Sequence, residues 1–154
     1  MHMNIPIAYA VGSCAMAALA EGLFMGRSGK QFLDSLKQPP FAPPLWAWSV
    51  IGVVYYFICG LVMYRLAAQT QPNLWAISLL AAVLISNSFW NYIYFRRRDL
   101  RLAFWYSIAY AFLIVALCLV LIPIDHVAAA AFALYAAYLP YVLGLMYRTW
   151  KLNV

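Results

Sequence analysis

Five stretches of this chain are each about as long and as apolar as a helix must be to cross a bilayer, and no other feature narrows the fold so far. A helix needs about 20 residues to traverse about 30 Å of hydrocarbon. Residues 5–25, 45–68, 74–95, 102–122 and 127–150 meet that length. Composition points the same way: 68% of residues are hydrophobic and 9% charged, against about 45–50% and about 25% in an ordinary soluble domain. Such a chain has no water-facing surface to offer. The expected fold is an all-α integral membrane protein, a bundle of five transmembrane helices in one domain over residues 1–154. The first stretch lacks a basic start and is too long for a removable signal, so it reads as a retained span.

The connections AQTQPN, RRRDLR and PIDH are short. Short connections make consecutive helices antiparallel neighbours. Lys and Arg then separate sharply. The first loop, the third loop and the C-terminus carry nine of the ten basic residues, and Arg65 is alone on the other side. Cytoplasmic loops are enriched in Lys and Arg, which predicts the N-terminus outside and the C-terminus and basic loops in the cytoplasm. The RRRDLR cluster is read as a topology determinant and a contact for anionic membrane lipid, not as a nucleic-acid site.

The first loop, residues 26–44, ends in QPPFAPP. Proline removes a backbone donor and pushes its predecessor toward extended conformations, so Pro39, Pro40, Pro43 and Pro44 make a stiff non-helical segment. Cys14, Cys59 and Cys118 lie inside apolar stretches without metal-ligand spacing, as buried thiols do. His2 and His126 are far apart, and no metal site is expected.

Polar residues within spans are costly and each is a functional candidate. Glu21 lies near the end of the first span, where it is expected to reach the interface. Asn87 and Asn91 are four apart on the third span and share a face, with Trp90 on the same side; Ser86 and Ser88 point elsewhere. From spacing alone, hydrogen bonding across helices is the simpler reading of that face; the lining of a ligand pocket is the other. No nucleophile–base pair, paired carboxylates, phosphate loop or metal box is present, so no catalytic residue is assigned. Tryptophans at span ends suit headgroup anchoring. Mid-span Tyr55, Tyr56, Trp90, Tyr135 and Tyr138 suit either core packing or a flat apolar ligand.

The segment FLDSLKQPPFAPP, residues 32–44, resembles the first-loop signature of the translocator protein family, also called tryptophan-rich sensory proteins (TspO/MBR), roughly WYxxLxKPxWxPP. Tyr56, Arg65, the run NSFWNYIYF with Asn87, Trp90 and Phe95, and the final span with Tyr135, Leu152 and Asn153 extend the resemblance in order along nearly the whole chain. Departures fall at Phe32 and Leu33 (for Trp-Tyr), Gly52 (for a Trp), Val83 (for a Gln), Leu134 (for a Pro) and Tyr138 (for a Trp).

The resemblance implies a membrane receptor or binding protein for a flat hydrophobic molecule, a porphyrin or a sterol-like lipid, held in the bundle. A bound porphyrin or haem is its expected occupant, and no cofactor is otherwise required. Trp48, Tyr56, Asn87, Trp90, Asn91 and Tyr138 are the expected pocket lining, with Asn87 as the polar contact. Pro39, Pro43 and Pro44 are expected in a lid formed by the first loop, since a stiff segment loses little entropy on ordering. The family implies a homodimer, for which the small residues of GSCAMAALAEG permit close approach. Three alternatives stay open: a small transporter or channel for such a cargo, a porphyrin-degrading activity, and an assembly factor with a partner on the basic face. A sterol-type pattern at Leu143, Tyr147 and Arg148 is a weak further signal.

Overall fold

The computed structural model describes residues 4–154, so His2 lies outside the described residues. Helix α1 runs Asn4–Met25, α2 Gly29–Ser35, α3 Leu45–Ala67, α4 Leu74–Asn91, α5 Leu100–Leu121 and α6 His126–Leu152. A π-helical turn, Tyr92–Arg97, prolongs α4 without a break. Five of these helices are long and apolar enough to cross a membrane. All five expected spans are therefore present, with ends shifted by no more than two residues. The proline segment is non-helical, and ahead of it in the first loop Gly29–Ser35 forms the short helix α2.

Lipid offers no partner to a bare N–H, so each helix start must be satisfied locally. Asn73, Asp99 and Asp125 do this by accepting from Ala76, Leu102, and Val127 with Ala128, respectively. Pro44 precedes α3, with a backbone already extended. Gly26 ends α1 at φ +58, a left-handed turn that glycine adopts without Cβ strain. Arg98 takes the left-handed conformation between the π turn and α5 (φ 54), and its guanidinium lies 5.2 Å from the centre of the Phe32 ring.

Helix α1 packs on α3 and α4, α4 on α5, α5 on α6, and α6 closes back on α3, with α4 also touching α3. Large apolar side chains such as Leu19, Val53, Phe57, Phe112 and Leu134 remain exposed around the bundle. On a membrane span they are the lipid-facing surface. Cys59, Val62, Leu66, Leu80, Val83, Ile114, Leu117, Leu121 and Phe132 have no exposed surface, and they fill the half of the bundle opposite the basic loops. At that end Arg65 Nε donates to Asp125 Oδ2 at 2.8 Å. The pair joins α3 to the start of α6. A second, smaller cluster of Phe32, Ile93, Tyr94, Ala103, Leu145 and Met146 lies at the basic end, under α2.

Candidate functional site

Between the two cores the helices separate around a cavity of about 330 Å³. That is within the range of small-molecule sites, about 300–1,000 Å³. It lies in the basic-side half, where α1, α4 and the π turn end and α3 begins. Its walls come from all five spans, and Leu33 and Gln38 of the first loop complete it.

The lining is mostly aromatic and aliphatic. Trp90 and Tyr94, one turn apart across the start of the π turn, stack with centroids 4.8 Å apart and planes inclined by 14°. The Trp90 indole N–H donates to Ser107 Oγ at 2.9 Å, and that hydroxyl donates to Ala103 O at 2.8 Å. The ring is thus fixed at its edge and on one face. Tyr55, Tyr110 and Tyr135 form the floor. The Tyr110 hydroxyl donates to Tyr55 Oη at 3.3 Å and lies 3.5 Å from Tyr135 Oη. From Tyr135 an aromatic line runs up α6 through Tyr138 to Tyr141. Gly52 faces the cavity with open space where a side chain would be.

On the α1–α4 wall a carboxylate meets two side-chain amides. Asn87 Nδ2 donates to Glu21 Oε1 at 2.6 Å, and Asn91 Nδ2 donates to Asn87 O at 3.0 Å. Tyr56 lies beside Glu21 with a buried hydroxyl that has no hydrogen-bond partner. Glu21 is the single charged residue in the lining. Among the described residues there is no group of His, Cys, Asp or Glu suited to hold a metal ion. Cys14, Cys59 and Cys118 are free thiols.

Of the expected pocket residues, Trp48, Asn87, Trp90, Asn91 and Tyr138 line the cavity. Tyr56 does not; its hydroxyl is buried beside Glu21. Glu21 was expected at the interface and instead faces inward, because Asn87 one helix away supplies a donor within the bundle. Its carboxylate and its place one turn from the end of α1 were the available signals, but only the packing of α4 shows which way it points. Asn87 combines the two roles weighed for it, joining α4 to α1 while lining the cavity. Among the departures from the family pattern, Gly52 and Tyr138 line the cavity, Val83 is in the packed core and Leu134 is exposed.

The lid prolines do not touch the cavity. Pro39 is buried, Pro43 is half-buried and Pro44 leads into α3. The loop is held by residues that sequence reasoning had placed only as matches or not at all. Asn153 accepts from Lys37 N at 2.9 Å and donates to Lys37 O at 2.9 Å and to Thr149 O at 2.8 Å. The Tyr141 hydroxyl donates to Phe41 O at 2.8 Å, with their rings edge to face. The Asn153 amide thus meets both the N–H and the C=O of one loop residue, which fixes that residue against the end of α6.

Comparison with known proteins adds an independent line. A family model described as TspO/MBR family matches residues 10–151. Protein CrtK of Rhodobacter capsulatus is 26% identical over 144 residues, which covers 92% of this chain and 88% of that protein.

Proposed function

This chain belongs to the TspO/MBR family, and on that premise we propose that it is a membrane receptor for a flat hydrophobic molecule of the tetrapyrrole class, bound in the cavity under the first loop. The observation that carries this reading is the cavity itself: about 330 Å³, walled largely by aromatic and aliphatic side chains, with Glu21, Asn87 and Asn91 joined on its α1–α4 wall. Rings give a flat ligand stacking area, and a small number of fixed polar groups orient it. Leu33 and Gln38 at the mouth, with Asn153 and Tyr141 holding the loop, suit a lid that opens at its prolines and closes at these bonds. The basic loops lie in the cytoplasm in this reading, and the small residues of α1 serve a homodimer contact.

The test is a porphyrin titration of the purified protein in neutral detergent, followed by absorbance shift and tryptophan quenching, beside an unrelated five-span protein. Trp48 and Trp90 line the cavity, so a bound porphyrin quenches them directly. Saturable, near-stoichiometric binding that Trp90→Ala weakens supports the reading; binding no tighter than the control protein's rejects it. Transport is the second reading, favoured by the loop that closes one end of the cavity. It requires porphyrin flux into proteoliposomes above that of empty liposomes.

A further inference from the structure

Three span ends meet at the basic end of the bundle: the π turn stops at Arg97, α5 starts at Leu100 and α6 stops at Leu152. A surface pocket separate from the cavity lies among them, and its lining includes Arg97, Arg98, Asp99, Arg101, Trp150 and Asn153. All three arginines are exposed. Asp99 is the one acidic side chain in the lining, and its Oδ1 accepts from Leu102 N at 2.9 Å. Among the described residues the one ion pair is Arg65 with Asp125, at the opposite end. Three guanidinium groups are therefore brought to one pocket with no carboxylate paired to them. The turn that brings them there is not a relaxed one. Arg98 holds φ 54, which side chains rarely adopt, and such departures gather at functional sites.

The pocket lies at headgroup depth. Trp150, in the last turn of α6, stacks on Phe104 with centroids 5.7 Å apart, and Lys151 Nζ lies 4.4 Å from the Trp150 ring. A Trp at a span end marks the boundary between hydrocarbon and headgroups. Two residues of the lining also hold the first loop. The Arg98 guanidinium lies 5.2 Å from the centre of the Phe32 ring in α2, and Asn153 bonds both backbone groups of Lys37.

We propose that this pocket seats the phosphate of one anionic phospholipid, and that the seated lipid steadies the first loop in its closed position. A guanidinium offers its N–H edge to phosphate oxygens while its face stays free for an aromatic ring. Arg98 can thus bond a phosphate without leaving Phe32. The bound phosphate also offsets the mutual repulsion of three like charges. A zwitterionic headgroup brings its own cation and offsets less of it. The pocket's depth favours a phosphate carried on acyl chains over a free one, because the chains lie in lipid while the phosphate meets the arginines. Any basic face attracts anionic lipid diffusely; what distinguishes a site is that two particular arginines matter more than two others at the same end.

The experiment titrates the full-length protein in neutral detergent with dioleoyl phosphatidylglycerol or dioleoyl phosphatidylcholine and counts bound lipid by native mass spectrometry. Three proteins are compared: wild type, Arg97→Gln with Arg101→Gln, and Arg27→Gln with Lys30→Gln. Both double variants lose the same charge from the same end of the bundle, but Arg27 and Lys30 do not line the pocket. The expected result in the wild type is one phosphatidylglycerol bound about tenfold tighter than phosphatidylcholine. The Arg97 and Arg101 variant is expected to reduce that ratio to about one, and the Arg27 and Lys30 variant to keep most of it. Hydrogen exchange at the Lys37 amide is expected to slow severalfold when phosphatidylglycerol is bound, and not in the Arg97 and Arg101 variant.

A ratio near one in the wild type, or equal losses in the two double variants, overturns the site and leaves only diffuse attraction. Displacement of the lipid by inorganic phosphate at matched concentration overturns the lipid as occupant and assigns the pocket to small anions. Lipid bound through Arg97 and Arg101 with unchanged exchange at Lys37 overturns the link to the loop.

Discussion

In the half of the bundle that carries the α3–α4 and α5–α6 connections, side chains such as Leu66, Leu80, Ile114 and Phe132 are wholly enclosed. In the other half the same five helices stand around about 330 Å³ of empty space. Charge follows the same division. At the packed end the two charged groups are paired across the rim, Arg65 with Asp125. At the hollow end Glu21 faces the cavity with a neutral partner. Lipid tails are as apolar as leucine, so burying a side chain between helices gains close packing, not escape from water. A chain that leaves one half unpacked gives up most of what holds a membrane bundle together there. Stability thus has to come from the packed half, which frees the hollow half to be shaped for a ligand.

The largest expected effect breaks the packed half. Phe132→Ala opens a void where nothing can collapse easily. It is expected to cost roughly 2–4 kcal/mol, below the usual Phe→Ala range for soluble cores because the water-transfer part is missing. Thermal unfolding in detergent measures it. Tyr138→Ala in the hollow half removes a ring of similar size next to existing space and is expected to cost less than half as much. Equal costs for the two would mean that the cavity does not divide the bundle as described.

Next in size is a change that makes the hollow half resemble the packed one. A side chain at Gly52 meets nothing within 4 Å of its first carbon and points into the cavity. Gly52→Trp is expected to leave the melting temperature unchanged or raise it slightly, since it adds contacts and removes a mid-helix glycine. Affinity for a flat probe is expected to fall at least tenfold, about 1.4 kcal/mol. Fluorescence titration and thermal unfolding on the same sample check both halves of this prediction.

The division also explains what could be read from the sequence. Span positions were legible to within two residues because length and hydropathy determine them locally. Which loops share an end of the bundle followed from the alternation of antiparallel helices. The cavity was legible only in part. Trp48, Asn87, Trp90, Asn91 and Tyr138 were identified through residue type, shared helix face and family pattern. Glu21 and Tyr56 were misplaced, one too far out and the other too far in, because their direction depends on how α1 and α3 rotate against α4. Nearly uniform hydrophobicity leaves that rotation without a sequence signal: a helix that is apolar all round does not announce its inner face. The latch at Asn153 joins residues more than a hundred positions apart, which spacing within one helix cannot reveal.

That latch gives the third prediction. Asn153→Ala removes the two bonds to the Lys37 backbone and the one to Thr149. These groups are largely exposed, so each bond contributes about 0.5–1 kcal/mol. The expected outcome is local: hydrogen exchange at the Lys37 amide speeds up by roughly tenfold, while the packed half keeps its protection. Exchange that accelerates equally around Leu66 and Leu117 would show that the loop supports the whole bundle and not the hollow end alone.

The smallest expected effect returns to the packed end and asks whether its charge pair matters. Burial of the Asp125 carboxyl by itself favours the protonated form. The Arg65 guanidinium and the backbone N–H groups of Ala128 and Val127 outweigh that and hold its pKa below the ordinary carboxylate value. A lowered folded-state pKa means that the ionised group stabilises the fold above the unfolded value, about 3.9, and that this is lost as pH falls through the folded value. Arg65 keeps 37% of its side chain exposed, so water screens the pair and it contributes less than about 1 kcal/mol. Asp125→Asn retains a good helix cap and deletes only the charge. The variant is expected to unfold a degree or two below the wild type at neutral pH, with the difference vanishing in acid below the folded-state pKa. A difference that persists unchanged in acid would assign the effect to lost cap geometry rather than to the pair.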